Sequence, residues 1–158
     1  MADGTPRDLE ALVEETMELI TEATPSHRAC LGDLTITHAW ELEDRAHYMP
    51  DTRTVVLRVP ATAPELRFSL AHEVAHHLEM TCEQAGMRPA FLSAQGHPPD
   101  QAWFQGESWE TTPSEQFATA FATFVVGQSD PDRHLDISEG ALEVVSEWAR
   151  TGTAPGVP

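Results

Sequence analysis

Hydrophobic and polar positions recur with a helical period at the two ends of the chain and with a strand-like period between them. Residues 5–8 (TPRD) combine a polar cap with an early proline, which predicts the start of a helix. This helix should end before Pro25, because the residue before a proline disfavours helical backbone. Its apolar face comprises Leu9, Leu12, Val13, Met17 and Ile20.

Three short strands are predicted after this helix. Residues 34–37 (LTIT), 46–48 (AHY) and 54–57 (TVVL) are short segments rich in β-branched or aromatic residues. Pro50-Asp51 has the composition of a tight turn between the last two segments. Short connections between successive strands predict a three-stranded β meander.

Three further helices are predicted in the remainder of the chain. Residues 62–65 (TAPE) form a capping box with a proline in the first turn, so a helix should begin near residue 63. A second helix is predicted within residues 111–126 (TTPSEQFATAFATFVV), and a third should begin at Ser138 and end at Gly152. The fold is therefore predicted to be α+β.

Length and composition favour a single domain. With 158 residues, the chain can bury one core, which we place at residues 1–150, followed by a disordered tail at 151–158. The N-terminus is polar and acidic and has no signal-peptide pattern, so a cytoplasmic protein is expected. Cys30 and Cys82 are then expected to be free thiols rather than a disulfide. Cys82 is expected to be a small buried hydrophobe, and the alternative for this residue is a redox or ligand role.

The chain is strongly acidic, with 26 Asp and Glu against 9 Lys and Arg and a net charge of −17. This charge opposes direct binding to nucleic acid or to an anionic membrane, because both select basic surfaces. It is compatible with a basic protein partner. The interpretation that we favour is that the charge keeps the protein soluble.

One motif indicates a chemistry. The segment 67–79 (RFSLAHEVAHHLE) contains a His-Glu-x-x-His pattern at His72, Glu73 and His76. Residues four apart lie on one face of a helix, so both imidazoles can bind one zinc ion while Glu73 acts on a zinc-bound water. The alternative is a pair of core histidines, but a buried glutamate between them would need its own partner. The adjacent His77 points away from this face.

A catalytic zinc ion usually has three protein ligands, and Glu115 is the candidate for the third. It shares a helical face with Ala118 and Ala122, whose small side chains allow close approach to the motif helix. The alternative is that Glu115 only caps its own helix after Thr112. Rival ligands are His97, Asp100, Glu107 and Glu110, and Cys82 should lie off the histidine face.

Two segments resemble the ImmA/IrrE-type metallopeptidases. RFSLAHEVAHHLE resembles their R-F-T-x-A-H-E-x-x-H segment, and EQFATAFATFVV resembles their E-x-x-A-N-x-F-A-x-x-L-L helix. The second match is carried by Glu115, Ala118, Phe121 and Ala122. Thr119 stands where Asn or Asp is usual, and Gly127-Gln128 replaces Met-Pro. The resemblance covers roughly residues 30–126.

The resemblance implies a small zincin-like domain with one catalytic Zn²⁺ bound by His72, His76 and Glu115, and with Glu73 as the base. It further implies a protease that cuts a protein substrate, a helix-turn-helix transcriptional repressor, as regulation. The alternatives are a processing protease that trims one precursor peptide and a non-catalytic zinc-containing binding protein on a protease scaffold.

The interval between the two ligand helices is longer than in the family, so residues 79–112 are predicted to form a lid or specificity loop. Its aromatic residues either contact substrate or pack in the core. An oxyanion-stabilising group is also expected, and the candidates are Tyr48, His97 and His134.

Overall fold

A computed structural model describes residues 7–82 and 86–155. Within these ranges the chain forms six α-helices and a three-stranded sheet, so the α+β prediction is confirmed. The helices are α1 (Arg7–Ala23), α2 (Arg28–Leu31), α3 (Ala63–Thr81), α4 (Met87–Gln95), α5 (Pro113–Val126) and α6 (Glu139–Thr151). The strands are β1 (Thr35–Ala39), β2 (Ala46–Met49) and β3 (Thr54–Arg58). None of the described helices combines the length and apolar character that a membrane span requires.

Helix α1 has the amphipathic character that the sequence predicts. Leu9, Val13 and Ile20 are buried, whereas the acidic positions of the helix face solvent. The helix ends at Ala23, directly before Thr24 and Pro25, as expected from the proline. Thr5 and Pro6, which predict its start, lie outside the described residues.

The sheet is mixed, with the strand order β1-β3-β2, and the predicted meander is wrong. The hairpin between β2 and β3 is confirmed, because these strands pair in antiparallel register around a turn closed by Arg53 N–H donating to the Pro50 carbonyl. β1 adds to the other edge of β3 in parallel register. Alternating hydrophobicity determines which face of a strand is buried but not which neighbour it takes. The order leaves β2 at an edge.

Helices α3 and α5 form the centre of the core. α3 begins after Thr62, whose hydroxyl accepts from the Glu65 N–H while the Glu65 carboxylate accepts from the Thr62 N–H, so the predicted capping box is confirmed. Ala75, Ala118 and Ala122 are completely buried between the helices. Their small side chains let the backbones of α3 and α5 approach closely, which positions the polar residues on the same faces.

The segment 79–112 is not one irregular loop. It begins inside α3 and contains α4, whose Met87 and Phe91 are completely buried. The helical pattern of α4 is short and contains Pro89 in its first turn, which masks it in the sequence. Met80 at the start of the segment and Phe104 and Trp109 in its later part line the cleft described below, and a lid function stays a prediction.

Helix α6 forms where the sequence predicts a helix, and it packs against α4 and α5. The Ser138 hydroxyl accepts from the Ala141 N–H at the start of the helix, and Gly152 ends it with a φ of 81°. Trp148 is completely buried. Ala154 is also buried, so the chain remains packed beyond the helix. The last part of the predicted tail, residues 156–158, lies outside the described residues.

Cys30 and Cys82 form a disulfide, which corrects the prediction of free thiols. Cys82 follows the last residue of α3 and Cys30 lies in α2, so the bond joins these two helices. The two Cα atoms are 5.5 Å apart, a separation common in disulfides. The two cysteines are 52 positions apart in sequence, and no local sequence pattern indicates that they lie close together.

Candidate metal centre

His72, His76 and Glu115 meet between the middle of α3 and the first turn of α5. The Glu115 Oε2 atom lies 3.1 Å from His72 Nε2 and 3.5 Å from His76 Nε2. Ligands bound tetrahedrally to one zinc ion are separated by about 3.3 Å, given metal–ligand distances of about 2.0–2.1 Å. The three residues could therefore hold one metal ion, and their donor atoms all lie within 4.8 Å of one another.

Glu115 does not serve as a helix cap. Thr112 occupies the N-cap position of α5 and makes no side-chain capping bond, and the Glu115 carboxylate turns towards the two histidines. The rivals do not join the cluster in the described part of the chain: Asp100, Glu107 and Glu110 are exposed, and His97 bonds to Gln116. The geometry thus selects Glu115 from the sequence candidates.

The second ring nitrogen of His76 is held by a residue that sequence reasoning missed. His76 Nδ1 lies 2.6 Å from the Glu79 carboxylate, which is only 1% exposed. The same carboxylate accepts hydrogen bonds from the Ser114 hydroxyl at 2.6 Å and from the Trp103 indole N–H. A proton on Nδ1 leaves the Nε2 lone pair directed at Glu115, as a metal ligand requires. The three-residue spacing from His76 was the available signal.

His72 has a weaker contact of the same kind. The Thr119 hydroxyl lies 3.5 Å from His72 Nδ1, and Thr119 is 4% exposed. Thr119 is the position at which the sequence departs from the ImmA/IrrE pattern. The hydroxyl can accept a hydrogen bond from the Nδ1–H group, so the departure keeps a polar group behind the histidine.

Carboxylates on both sides determine the electrostatics of His76. Burial alone would lower its pKa, but hydrogen bonds to Glu115 and Glu79 outweigh burial and raise the pKa to about 10. Burial would raise the Glu115 pKa, yet its bonds to His72 and His76 lower that pKa far below its usual range. Without a metal, the cluster therefore retains an ionised Glu115 and a protonated His76 at neutral pH, and a divalent cation would replace that proton.

Zinc binding should release about one proton from His76 throughout the neutral range. Because His76 stays protonated up to its pKa of about 10, apparent zinc affinity should rise about tenfold per pH unit between about pH 7 and pH 8.5. A histidine with the ordinary pKa of 6.5 would give nearly constant affinity above about pH 7.5. Calorimetric titration in buffers of different ionisation enthalpy measures the released protons, and a flat affinity profile would contradict the prediction.

Replacing Glu79 by glutamine should weaken zinc binding by about 10- to 100-fold, because it removes the charge that orients His76. Competition against a chromogenic chelator measures the affinity. Ser114→Ala is the matched control, since it removes another bond to the same carboxylate and only a weak 3.4 Å contact to His76 Nδ1, but leaves the 2.6 Å contact between Glu79 and His76 in place. Equal losses in both variants would mean that packing around Glu79, and not its hold on His76, governs affinity.

The cluster lies at the base of a cleft of about 580 Å³. Ala46, His47 and Tyr48 of the edge strand β2 form part of its wall. Glu73 also lines the cleft, and its carboxylate has no hydrogen-bond partner among the described residues. The remaining lining residues are Asp44, Arg45, Phe68, Ser69, His72, His76, Met80, Phe104, Trp109, Ser114, Glu115, Asp130 and Arg133.

The wall near Trp109 is aromatic and cationic. The Trp109 ring stacks 6.2 Å from the His72 ring, and the Arg133 guanidinium lies 5.1 Å from the Trp109 ring centre. Arg45 pairs with Asp130 and Asp132, which holds the segment after α5 against β2. These contacts join residues more than 20 positions apart, and no sequence pattern identified them.

Of the three candidate oxyanion-stabilising residues, the structure brings only Tyr48 to the cleft. The Tyr48 hydroxyl lies 2.8 Å from His77 Nδ1, and His77 Nε2 lies 2.7 Å from the Cys30 carbonyl. A carbonyl oxygen can only accept a hydrogen bond, so His77 Nε2 donates to it and Nδ1 accepts a hydrogen bond from the Tyr48 hydroxyl. His97 and His134 do not line the cleft among the described residues. His77 also faces away from the ligand pair, as predicted.

Comparisons of this chain with protein-family models, with curated proteins and with solved structures find no match. The chemistry of the site therefore follows from its own donor set and geometry. The resemblance of α3 and α5 to the ImmA/IrrE pattern is a resemblance of two short motifs.

Proposed function

We propose that the protein is a metal-dependent peptidase whose ion is held by His72, His76 and Glu115. The observation that carries the proposal is the convergence of two imidazole Nε2 atoms and one carboxylate oxygen at 3.1 and 3.5 Å, beside a cleft-facing Glu73. Three protein ligands and an open side are typical of catalytic zinc sites, whereas structural zinc sites are closed by four.

Glu73 is the proposed general base. An ion at this site, when bound, supplies Lewis acidity that polarises a scissile carbonyl and lowers the pKa of a water molecule. Glu73 lines the same cleft as the three ligand residues. It accepts a proton from the attacking water and donates it to the leaving amide nitrogen. Its lack of a competing hydrogen-bond partner among the described residues supports this role.

A peptide in extended conformation is the proposed substrate. Within residues 7–82 and 86–155, β3 is the one strand that pairs with β2, so the other side of β2 has no strand partner there, and residues 46–48 line the cleft. An extended chain can add to such an edge through main-chain hydrogen bonds. This arrangement supports a peptide substrate.

The finer proposal is a cytoplasmic zinc protease of the ImmA/IrrE type that cuts a helix-turn-helix repressor. It is supported by the two motif resemblances and by the net charge of −17, which suits a basic protein substrate. The alternatives are a processing protease for one precursor peptide and a zinc-containing binding protein that cuts nothing.

Digestion of a defined mixture of synthetic peptides tests the proposed activity. Zinc-loaded protein should generate new peptide termini by mass spectrometry, a chelator should stop their formation, and added zinc should restore it. Digestion of a purified helix-turn-helix repressor and of a short precursor peptide separates the two protease hypotheses. Tight zinc binding without cleavage of any of these substrates would favour the binding protein.

A further inference from the structure

A second group of metal-binding residue types lies at the end of α3. His27 comes from the 3₁₀ turn Pro25–His27, Cys30 from α2, and Cys82 from the C-cap of α3. One donor atom from each residue lies within 4.8 Å of the other two. Cys30 and Cys82 are 52 positions apart in sequence, so only the tertiary fold brings the three residues together.

The environment of His27 is that of an oriented ligand. The side chain is 3% exposed, and its Nε2 lies 2.9 Å from the Trp148 carbonyl. A carbonyl only accepts, so Nε2 carries the proton and Nδ1 has the lone pair. The His27 ring also packs 4.1 Å from the Trp148 ring, which limits its rotation. Metal-binding histidines commonly donate their second ring N–H to a backbone carbonyl, as His27 does. A disulfide, in contrast, requires no neighbouring imidazole.

We propose that His27, Cys30 and Cys82 form a second metal site, which binds Zn²⁺ when the cysteines are reduced and closes as the disulfide when they are oxidised. A Cys₂His set with water in the fourth position is a known zinc coordination, and Cys30 is partly exposed, so solvent reaches the site. The Cα separation of 5.5 Å places the two sulfurs within reach of each other and of one bridging ion. This inference does not rest on the proposed peptidase function.

The chemistry balances in both directions. Zinc binding to the reduced site displaces one proton from each thiol. Oxidation by hydrogen peroxide removes two electrons from the two thiolates, forms the S–S bond and releases zinc. The peroxide takes up these two electrons and two protons, its O–O bond breaks, and two water molecules form. A dithiol reductant reverses the step by returning two electrons and two protons to the sulfurs.

The site would link the same two parts of the fold in both redox states. Zinc bound to Cys30 and Cys82 joins α2 to the end of α3, as the disulfide does. The Cys30 carbonyl also accepts from His77, which in turn accepts from Tyr48 in the cleft wall. Either link therefore holds the Cys30 carbonyl in place, and this carbonyl positions His77 and, through it, Tyr48 in the cleft wall.

Counting zinc in the full chain under two redox conditions tests the proposal. Protein kept with a phosphine reductant, loaded with zinc and desalted should hold two equivalents per chain, and peroxide-treated protein should hold one with no titratable thiols. The Cys30→Ser/Cys82→Ser variant, which keeps His27 and its Trp148 contact, should hold one under both conditions. One equivalent in reduced wild type and none in a His72→Gln/His76→Gln variant would overturn the second site.

The same counts separate this inference from the first site. If reduced wild type holds one equivalent and the His72→Gln/His76→Gln variant also holds one, then the ion lies at the cysteine site and the His72 cluster is empty. Cobalt(II) provides an independent signature, because only thiolate ligands give an intense near-ultraviolet charge-transfer band. The band should be present in the reduced wild type and in the His72→Gln/His76→Gln variant. It should be lost in the double-serine variant, and its absence from reduced wild type would contradict the proposal.

The contribution of His27 is tested by His27→Gln. We expect this variant to lose the second equivalent of zinc or to release it to a chelator that leaves the wild-type ion in place. Circular dichroism and the unchanged first equivalent verify that the fold is intact. A reduced His27→Gln protein that keeps both equivalents against the chelator would show that the imidazole is not a ligand.

Discussion

Replacing Glu73 by glutamine is expected to lower kcat/KM for peptide cleavage by about 10³-fold while zinc stays bound. Loss of a general base costs roughly 10²- to 10⁴-fold, and glutamine has the same shape but cannot accept the proton. Glu73 contributes no atom to the His72, His76 and Glu115 cluster, so metal content should be unchanged. Steady-state kinetics on a peptide cleaved by wild type, together with metal analysis, measures both quantities.

The control for this variant is Glu18→Gln, which removes one charge from the exposed face of α1. It changes the net charge equally but should leave kcat/KM within about twofold, because exposed charges far from a site are screened. A Glu73→Gln protein with wild-type kinetics would exclude Glu73 as the base. If it also remained active without zinc, the metallopeptidase proposal would fail.

Glu115→Gln should remove most of the stabilisation of the protein by zinc. At zinc concentrations about 1,000 times the Kd, binding stabilises the folded state by about 4 kcal/mol. In a domain of this size, such a change raises Tm by roughly 10 °C. Glutamine removes the negative ligand that both histidines face at 3.1 and 3.5 Å, so most of this rise should disappear. Thermal unfolding with and without zinc measures the difference.

This measurement is best made on oxidised protein, in which the Cys30–Cys82 disulfide prevents zinc binding at the second site. Glu110→Gln is the matched control, because Glu110 is a nearby exposed carboxylate that does not belong to the cluster. It should retain the full zinc-dependent rise in Tm. An equal rise in Glu115→Gln and wild type would place the stabilising ion elsewhere in the protein.

Local patterns account for what the sequence predicted correctly. The capping box at Thr62 and Glu65 placed the start of α3, and the four-residue spacing then put His72 and His76 on one face. Ser138 and Gly152 bounded α6 in the same way. These features depend on interactions within one or two helical turns, which a sequence contains completely.

Long-range proximity accounts for what the sequence did not predict. β1 pairs with β3 rather than β2, because period-two hydrophobicity does not encode the neighbouring strand. An expected cytoplasmic location predicts free thiols at Cys30 and Cys82. The fold instead places their Cα atoms 5.5 Å apart, and the two residues form a disulfide. The burial of Glu79 depends on Trp103, 24 positions away, so the sequence contains only the three-residue spacing from His76 as a local signal of its role.

Glu115 lies between these two cases. The sequence placed it in the first turn of a helix and named it as a ligand candidate, but the capping alternative and four rival residues were compatible with the same pattern. Only the packing of α5 against α3, through buried alanines on both helices, brings its carboxylate to both imidazoles.

The sequence by itself determined the donor types and their spacing on α3, because helical geometry depends on neighbours within a turn. The tertiary structure alone decided which carboxylate completes the cluster, which residue orients His76, and that His27, Cys30 and Cys82 meet at the end of the same helix. Contacts of this kind join separate elements, and their free energy comes from burying those elements together rather than from any local pattern.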